Sequence, residues 1–396
     1  MIKLSALHGA VLALLTALAA PTTFAADAWT EEGGNASGNA FNADQTLLGA
    51  NTLDQMATLW SRFDLTDAYN VTPPVVSDGQ AFFSRYYYHS YSDVIGLDAQ
   101  SGATLWKLKL DGFVGTPALT SSLVIVPHDR YSDGTRGGDV QAFDRVTGAL
   151  VWRADLPDAL QVSSPHVADG VAYVSTADSV VALDAATGAR LWAIPVDLSA
   201  GAYRPLVAQG IVVVQQNTGL MALDAKDGRQ LWRATGVYST QPQIIVNGTA
   251  LVQDGRGMVH AYDLATGALR WAKDILKADS KRVTTNMTTD GQRVFAMIGS
   301  FNVSMTALDI ATGETMWSRS KLGEVTSPVA SNGVIFTSRN HNIATLDSAT
   351  GAHLSHPNLP GDEYGRLSLA EGRLFLVAFD HLYALGLPQG QASRQP

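Results

Sequence analysis

The 396-residue chain contains no cysteine. That excludes disulfides, thiolate metal sites, cysteine nucleophiles and any lipid attached through an N-terminal Cys. Charge is scarce as well: 16% of residues are charged against 46% hydrophobic, a globular composition rather than a disordered one. The net charge of −9 is spread along the chain and speaks against nucleic acid as a partner. No apolar run after the N-terminus approaches the roughly 18 residues of a membrane span, so no transmembrane segment is expected. Helical periodicity of useful length is also missing beyond that point, which excludes helical solenoids.

What is present at the N-terminus is a targeting pattern. Lys3 precedes a short apolar core over residues 9–20, and small residues follow. Residues 1–25 read as a signal peptide, with cleavage after Ala25 or as late as Ala28. The mature protein is expected to be periplasmic or secreted, soluble, and a monomer. Residues 26–56 are Gly- and Asn-rich without periodicity and read as an extended segment lying across the body. Residues 389–396 read as a disordered tail.

The rest is one phrase repeated. DAATGARLW at 184–192 has relatives at 98–106, 144–152, 224–232, 263–271, 309–317 and 347–355. The last has Ser355 where the others have Trp. Successive copies begin 46, 40, 40, 39, 46 and 38 residues apart, the period of a solenoid, propeller or array. An alternating apolar run precedes each copy and reads as a half-buried strand. The Asp caps a turn, the Gly four residues on supplies a positive φ, and the Trp rides the next strand toward a neighbouring repeat. Trp60, Trp106, Trp152, Trp192, Trp232, Trp271 and Trp317 hold that position. A second turn recurs as Asp78-Gly79, Asp169-Gly170, Gln209-Gly210, Asn247-Gly248, Asp290-Gly291, Asn332-Gly333 and Glu371-Gly372, with Thr120-Ser121-Ser122 in its place in blade 2, a signature of tight hairpins.

Two fragments complete the count. TLWSRFDL (58–65) looks like the last strand of a repeat, and residues 367–387 supply three strands without a Trp strand. Together they make one repeat, as ring closure requires. The expectation is an all-β, eight-bladed β-propeller of four-stranded antiparallel blades over residues 57–388, with an N-terminal strand joining the C-terminal blade. In that order, connections after strands two and four emerge on one face, called here the loop face. The Asp-Gly and Asp-x-x-x-Gly turns lie on the other.

The phrase A-L-D-A-x-T-G-x-x-x-W, after S-x-P-V-V-x-D-G-V-x-Y-V, resembles the PQQ-like repeat. That repeat builds quinoprotein dehydrogenases and the BamB-type outer-membrane assembly propellers. The BamB branch implies a non-catalytic envelope scaffold whose partner is an outer-membrane assembly component. In it, the loop 196–205 offers Leu198 and Arg204 where the family presents a docking loop. Residues 236–242 lack the acidic residues that the family presents at the next blade. The dehydrogenase branch implies PQQ with calcium. It expects a vicinal cysteine pair, absent here, and a tryptophan beneath the quinone, for which only Trp29 is left. No oxygen-rich calcium loop is found. No cofactor and no metal are therefore expected, with an enzyme on the same scaffold as the alternative.

Two places invite binding. Loop-face excess in blades 1 and 2 gathers Arg85, Tyr86, Tyr88, His89 and Tyr91 opposite His128, Arg130 and Tyr131. Tyr and Arg suit a protein interface. The same set would stack on a polysaccharide or perform base and acid chemistry on one. Alternation offers a third reading, in which part of the run is packed strand. The channel mouth gathers Tyr203, Arg204, Gln241, Arg282, Tyr364 and Arg366 around a polar axis. They would bind an anion there, or pair with Glu324, Asp362 or Glu363.

Overall fold

The computed structural model describes residues 27–63, 68–88, 91–132, 135–156, 159, 161–197, 202–237, 243–254, 256–275, 286–299, 303–323, 326, 328–339, 342–360, 365–378 and 381–388; of 131, 132, 135, 136 and 243 only the backbone is described. These residues form eight antiparallel sheets arranged as the blades of a propeller. Blade 3 shows the common order from axis to rim: His166–Ala168, Val171–Ser175, Ser179–Asp184 and Arg190–Pro195. Ring closure is as expected. Ala57–Arg62 is the outer strand of blade 8, paired with His381–Gly386 from Ala57 opposite Gly386 to Arg62 opposite Leu382.

Proline explains one departure from four regular strands. In blade 1 the innermost strand is split into Asn70–Val71 and Val75–Ser77, both against Gln80–Tyr87. Pro73 and Pro74 stand between the halves and have no N–H to give the ladder. Blade 2 breaks likewise around Pro117, between Phe113–Val114 and Ala118–Leu119. Asp290-Gly291 is also irregular. Only Gly291 has positive φ there, whereas both residues do at Asp78-Gly79 and Asp169-Gly170.

The repeated phrase is a docking device between blades. Asp184 Oδ1 accepts the Thr187 N–H at 2.8 Å and the Thr187 hydroxyl at 2.7 Å, which shapes the turn. Gly188 sits at φ +72°, and a Cβ there would lie 2.5 Å from the Trp152 ring of the preceding blade. Trp152 lies flat on that glycine and donates its indole N–H to Ala185 O at 3.1 Å. All seven repeat tryptophans donate to the residue after the next blade's Asp. Trp106, Trp152, Trp192 and Trp232 are buried and Trp60, Trp271 and Trp317 half-buried, each with its one polar group satisfied.

That pairing explains Ser355. Blade 7 should dock on blade 8, but the outer strand of blade 8 comes from Ala57–Arg62. No Asp-x-x-x-Gly turn exists there to receive a Trp. Trp and turn are lost together. Without its Trp strand, blade 7 is three-stranded among the described residues, with only a Leu346–His353 bridge at its rim. It corrects the expectation of four strands in every blade.

The N-terminal segment solves a problem at the opposite edge. Each innermost strand turns an unpaired edge toward the axis, and buried backbone groups require partners. Residues 27–42 travel around the ring and supply them. Val76 N–H donates to Trp29 O, and Leu119 N–H to Thr30 O, at 2.7 and 2.8 Å. Val167 N–H donates to Glu31 Oε2 at 3.0 Å. Val207 and Ile245 donate to Ala36 O and Ser37 O at 2.7 and 2.9 Å. The Thr288 hydroxyl and Ala330 N–H both reach Ala40 O, at 2.7 and 3.0 Å. Asn42 Nδ2 closes the circuit on Leu369 O at 2.8 Å and on Asp27 Oδ1 at 2.7 Å. Asp27 in turn accepts the Gly372 N–H of blade 8 at 2.8 Å. One segment therefore touches all eight blades as a collar at the turn end of the axis.

Candidate functional site

The collar floors an axial cavity of about 300 Å³ that opens toward the loop face. Trp29, Glu32 and Gly33 come from the collar, and Arg204 and Arg366 from the starts of innermost strands. Arg204 Nη1 lies 3.0 Å from Glu32 Oε1. Burial works against the Glu32 charge, but Arg204, a hydrogen bond from Ser164 and the fields of His166 and Arg366 outweigh it and hold the carboxyl low. Arg204 therefore pairs with Glu32, which is not one of the carboxylates the sequence suggested. Tyr203 is half-buried. Gln241, Arg282, Tyr364, Leu198, Glu324, Asp362 and Glu363 lie outside the described residues.

Glu31 and Glu32 were missed by sequence reasoning. Glu31 is 2% exposed, and burial pushes its carboxyl up to about 8 despite the Val167 N–H. Its Oε2 lies 3.4 Å from His166 Nδ1, which donates to Ala36 O at 3.0 Å. Burial and the Arg204 charge push His166 down to about 3. The pair is neutral near pH 7.

The loop patch divides into an inner and an outer part. Arg85 is buried, with Nε 2.8 Å from Asp93, which Lys107 also reaches at 3.0 Å. Its guanidinium lies 5.3 Å from the Tyr87 ring centre, and Tyr87 stacks on Tyr91 at 4.5 Å. His128 is held on both sides, by Asp139 at 3.0 Å and by the Asp111 carbonyl. Burial opposes its charge, but the bonds to Asp139 and Asp111 overcome this and raise its pKa. Fully buried Asp139 also takes Arg130 at 3.2 Å, Arg153 at 2.9 Å and Gln141 at 2.8 Å. Burial alone would raise its pKa; hydrogen bonds from His128 and Gln141, with the Arg153 charge, hold it low.

The outer part is aromatic. Tyr88 is 60% exposed and lies 5.1 Å from Tyr69, itself 69% exposed. Tyr69 meets Tyr86 edge-on at 6.3 Å, and Tyr86 meets Phe113 at 5.3 Å. Phe63 on blade 8 is 61% exposed and packs on His381. Tyr69, Phe113 and Phe63 were not singled out from sequence. His89 and the Tyr131 side chain lie outside the described residues.

A family model described as outer membrane protein assembly factor BamB matches residues 136–356. The chain belongs to the BamB family. It is 27% identical over 326 residues to the outer membrane protein assembly factor BamB of Moranella endobia (strain PCIT), covering 77% of this chain and 73% of that one. The fold matches BamB from Moraxella catarrhalis with a TM-score of 0.65 at 18% identity, over 84% and 99% of the two chains. It also matches quinohemoprotein alcohol dehydrogenase from Comamonas testosteroni, with a TM-score of 0.71 at 14% identity over 93% and 82%. The second and third likenesses define fold alone.

The dehydrogenase likeness raises PQQ, a planar polycarboxylate, and the axis is where a shared ligand would sit. The residues present do not fit it. Arg204 already faces the Glu32 carboxylate, so an anionic quinone would meet a like charge. Trp29 is 2% exposed, hydrogen-bonded to Val76 in both directions and covered by Gly34. Although it lines the cavity, it is too enclosed to offer an open face for stacking. Among the described residues no three His, Asp or Glu are grouped to hold a metal ion.

Proposed function

We propose that this BamB-family propeller is a non-catalytic scaffold in the bacterial envelope, engaging an outer-membrane assembly component through its loop face. The relationship to the Moranella endobia assembly factor supports the partner class. The observation that carries the non-catalytic reading is the fate of the reactive side chains. His128, the candidate base, and Arg85 and Arg130, the candidate charge-neutralising groups, are committed to Asp139, Asp111 and Asp93 within blades. What the face offers outward is Phe63, Tyr69 and Tyr88, aromatic side chains suited to interface contact. The leader pattern supports an export route, and no helix among the described residues is long and apolar enough to cross a membrane.

A thermal melt with PQQ and Ca²⁺ over a concentration series separates this reading from a dehydrogenase. A ligand selective for the folded state adds about 2.7 kcal/mol at a hundred times its Kd. The scaffold reading expects no shift. A saturating rise in Tm would replace it with the cofactor-dependent one.

A further inference from the structure

Beside the axial cavity, on the blade 1–2 side, lies a second hollow of about 250 Å³. Its chemistry is distinctive. Asn70, Thr116 and Gln161 line it, and none of their side chains makes a hydrogen bond within the described residues. Asp129 lends one oxygen to the Val162 N–H at 2.8 Å and turns its carboxyl into the same lining. Arg366, whose charge also acts on Glu32 in the same lining, makes one long 3.5 Å hydrogen bond among the described residues, to Val71 O. Phe113 forms one wall. From it the rings of Tyr86, Tyr69 and Tyr88 run outward in unbroken contact to exposed loop-face surface.

We infer that this hollow and its aromatic track form a saccharide-binding site, the hollow holding one pyranose ring and the track the sugars that follow. An apolar peptide segment would leave the lining amides and hydroxyl without partners, a costly mismatch. A simple anion would need only the arginine. A sugar ring presents hydroxyls that both donate and accept, which matches amides, a hydroxyl, a carboxylate and a guanidinium set around one small space. Its C–H faces lie against aromatic rings, which the track supplies. The size agrees, since ligand pockets begin at about 300 Å³ for larger molecules. The track shares Tyr69 and Tyr88 with the contact surface of the assembly reading, but Gln161 belongs to the hollow alone and Phe63 to the assembly reading alone, so either can fail without the other.

The test is binding of the mature protein to an array of immobilised hexose and N-acetylhexosamine oligosaccharides. A hit is followed by calorimetry with that soluble tetrasaccharide and its monosaccharide. Wild type is expected to bind both, in the millimolar range typical of about −4 kcal/mol or tighter, with the tetrasaccharide preferred. Gln161→Ala should weaken both ligands about tenfold or more, whereas Tyr69→Ala should weaken the tetrasaccharide selectively, about 1.4 kcal/mol for each factor of ten. Both positions are exposed, so an unchanged melting temperature shows that the variants fold. No binding to any glycan at about 10 mM overturns the inference. So does binding that ignores both substitutions, or a tyrosine-rich peptide that competes for the same residues.

Discussion

The buried Glu31–His166 contact sets a pH dependence that a single substitution should remove. Glu31 is the collar carboxyl that accepts Val167 N–H. In the folded protein its pKa is about 8, against 4.5 for the free group. A raised acid contributes stability that is complete below the unfolded pKa and lost as pH rises through the folded one. At about 1.4 kcal/mol per pH unit, the loss between pH 6 and 8 is about 2 kcal/mol. The groups facing Glu31 do not titrate in that window when folded. His166, pushed to about 3 by burial and Arg204, stays neutral. Glu31→Gln keeps an oxygen for Val167 and cannot ionise. Melts of both proteins from pH 5 to pH 9 provide the assay, because Asp27 and Asp129, each pushed by burial to about 6, are common to both and cancel. The variant's stability relative to wild type should climb by about 2 kcal/mol from pH 6 to pH 8. Parallel curves would refute the buried neutral carboxyl.

Two further substitutions probe the blade contacts. Trp192→Phe keeps the ring against Gly228 but removes the N–H bond to Ala225 O, and denaturant unfolding should show a loss of about 1–2 kcal/mol; Trp192→Ala should cost about 3–5 kcal/mol. Asp139→Asn leaves Arg130, Arg153 and His128 facing a neutral amide in a fully buried position. Urea midpoints should fall by about 3 kcal/mol or more, as for a broken buried ion pair, and an NMR titration should show the His128 pKa moving down.

The propeller was legible because its defining interactions are local and repeated. Asp184, Gly188 and Trp192 lie within nine residues, and each has a role that its type alone suggests. Even the exception was informative: Ser355 marks the one blade whose neighbour has no turn to receive a Trp. The collar was legible only as a long segment, since its bonds join backbone and side-chain groups of residues 27–42 to positions up to 345 residues away. Nothing periodic encodes such a path. Glu32 as the partner of Arg204 was hidden for the same reason. Thr30-Glu31-Glu32-Gly33-Gly34, paired acids before a glycine turn in a collar whose one other charged residue is Asp27, was the available signal. In the loop patch, strand alternation allowed part of the tyrosine run to pack inward, but gave no sign that Arg85 would be buried against Asp93. What no pattern reveals is that Asp139, eleven residues from His128, would draw in His128, Arg130 and Arg153 together.

The central claim is that this propeller works by holding another envelope protein. It is tested most directly by photo-crosslinking in the native cell, with benzoylphenylalanine in place of Phe63 on blade 8, or of Tyr203 in the loop before blade 4. Phe63 is 61% exposed, and Tyr203 adjoins Arg204 at the channel mouth. The account predicts a covalent adduct at one or both positions whose partner, identified by mass spectrometry, is an outer-membrane assembly component. No adduct at either position, or adducts only with proteins outside that machinery, would contradict it.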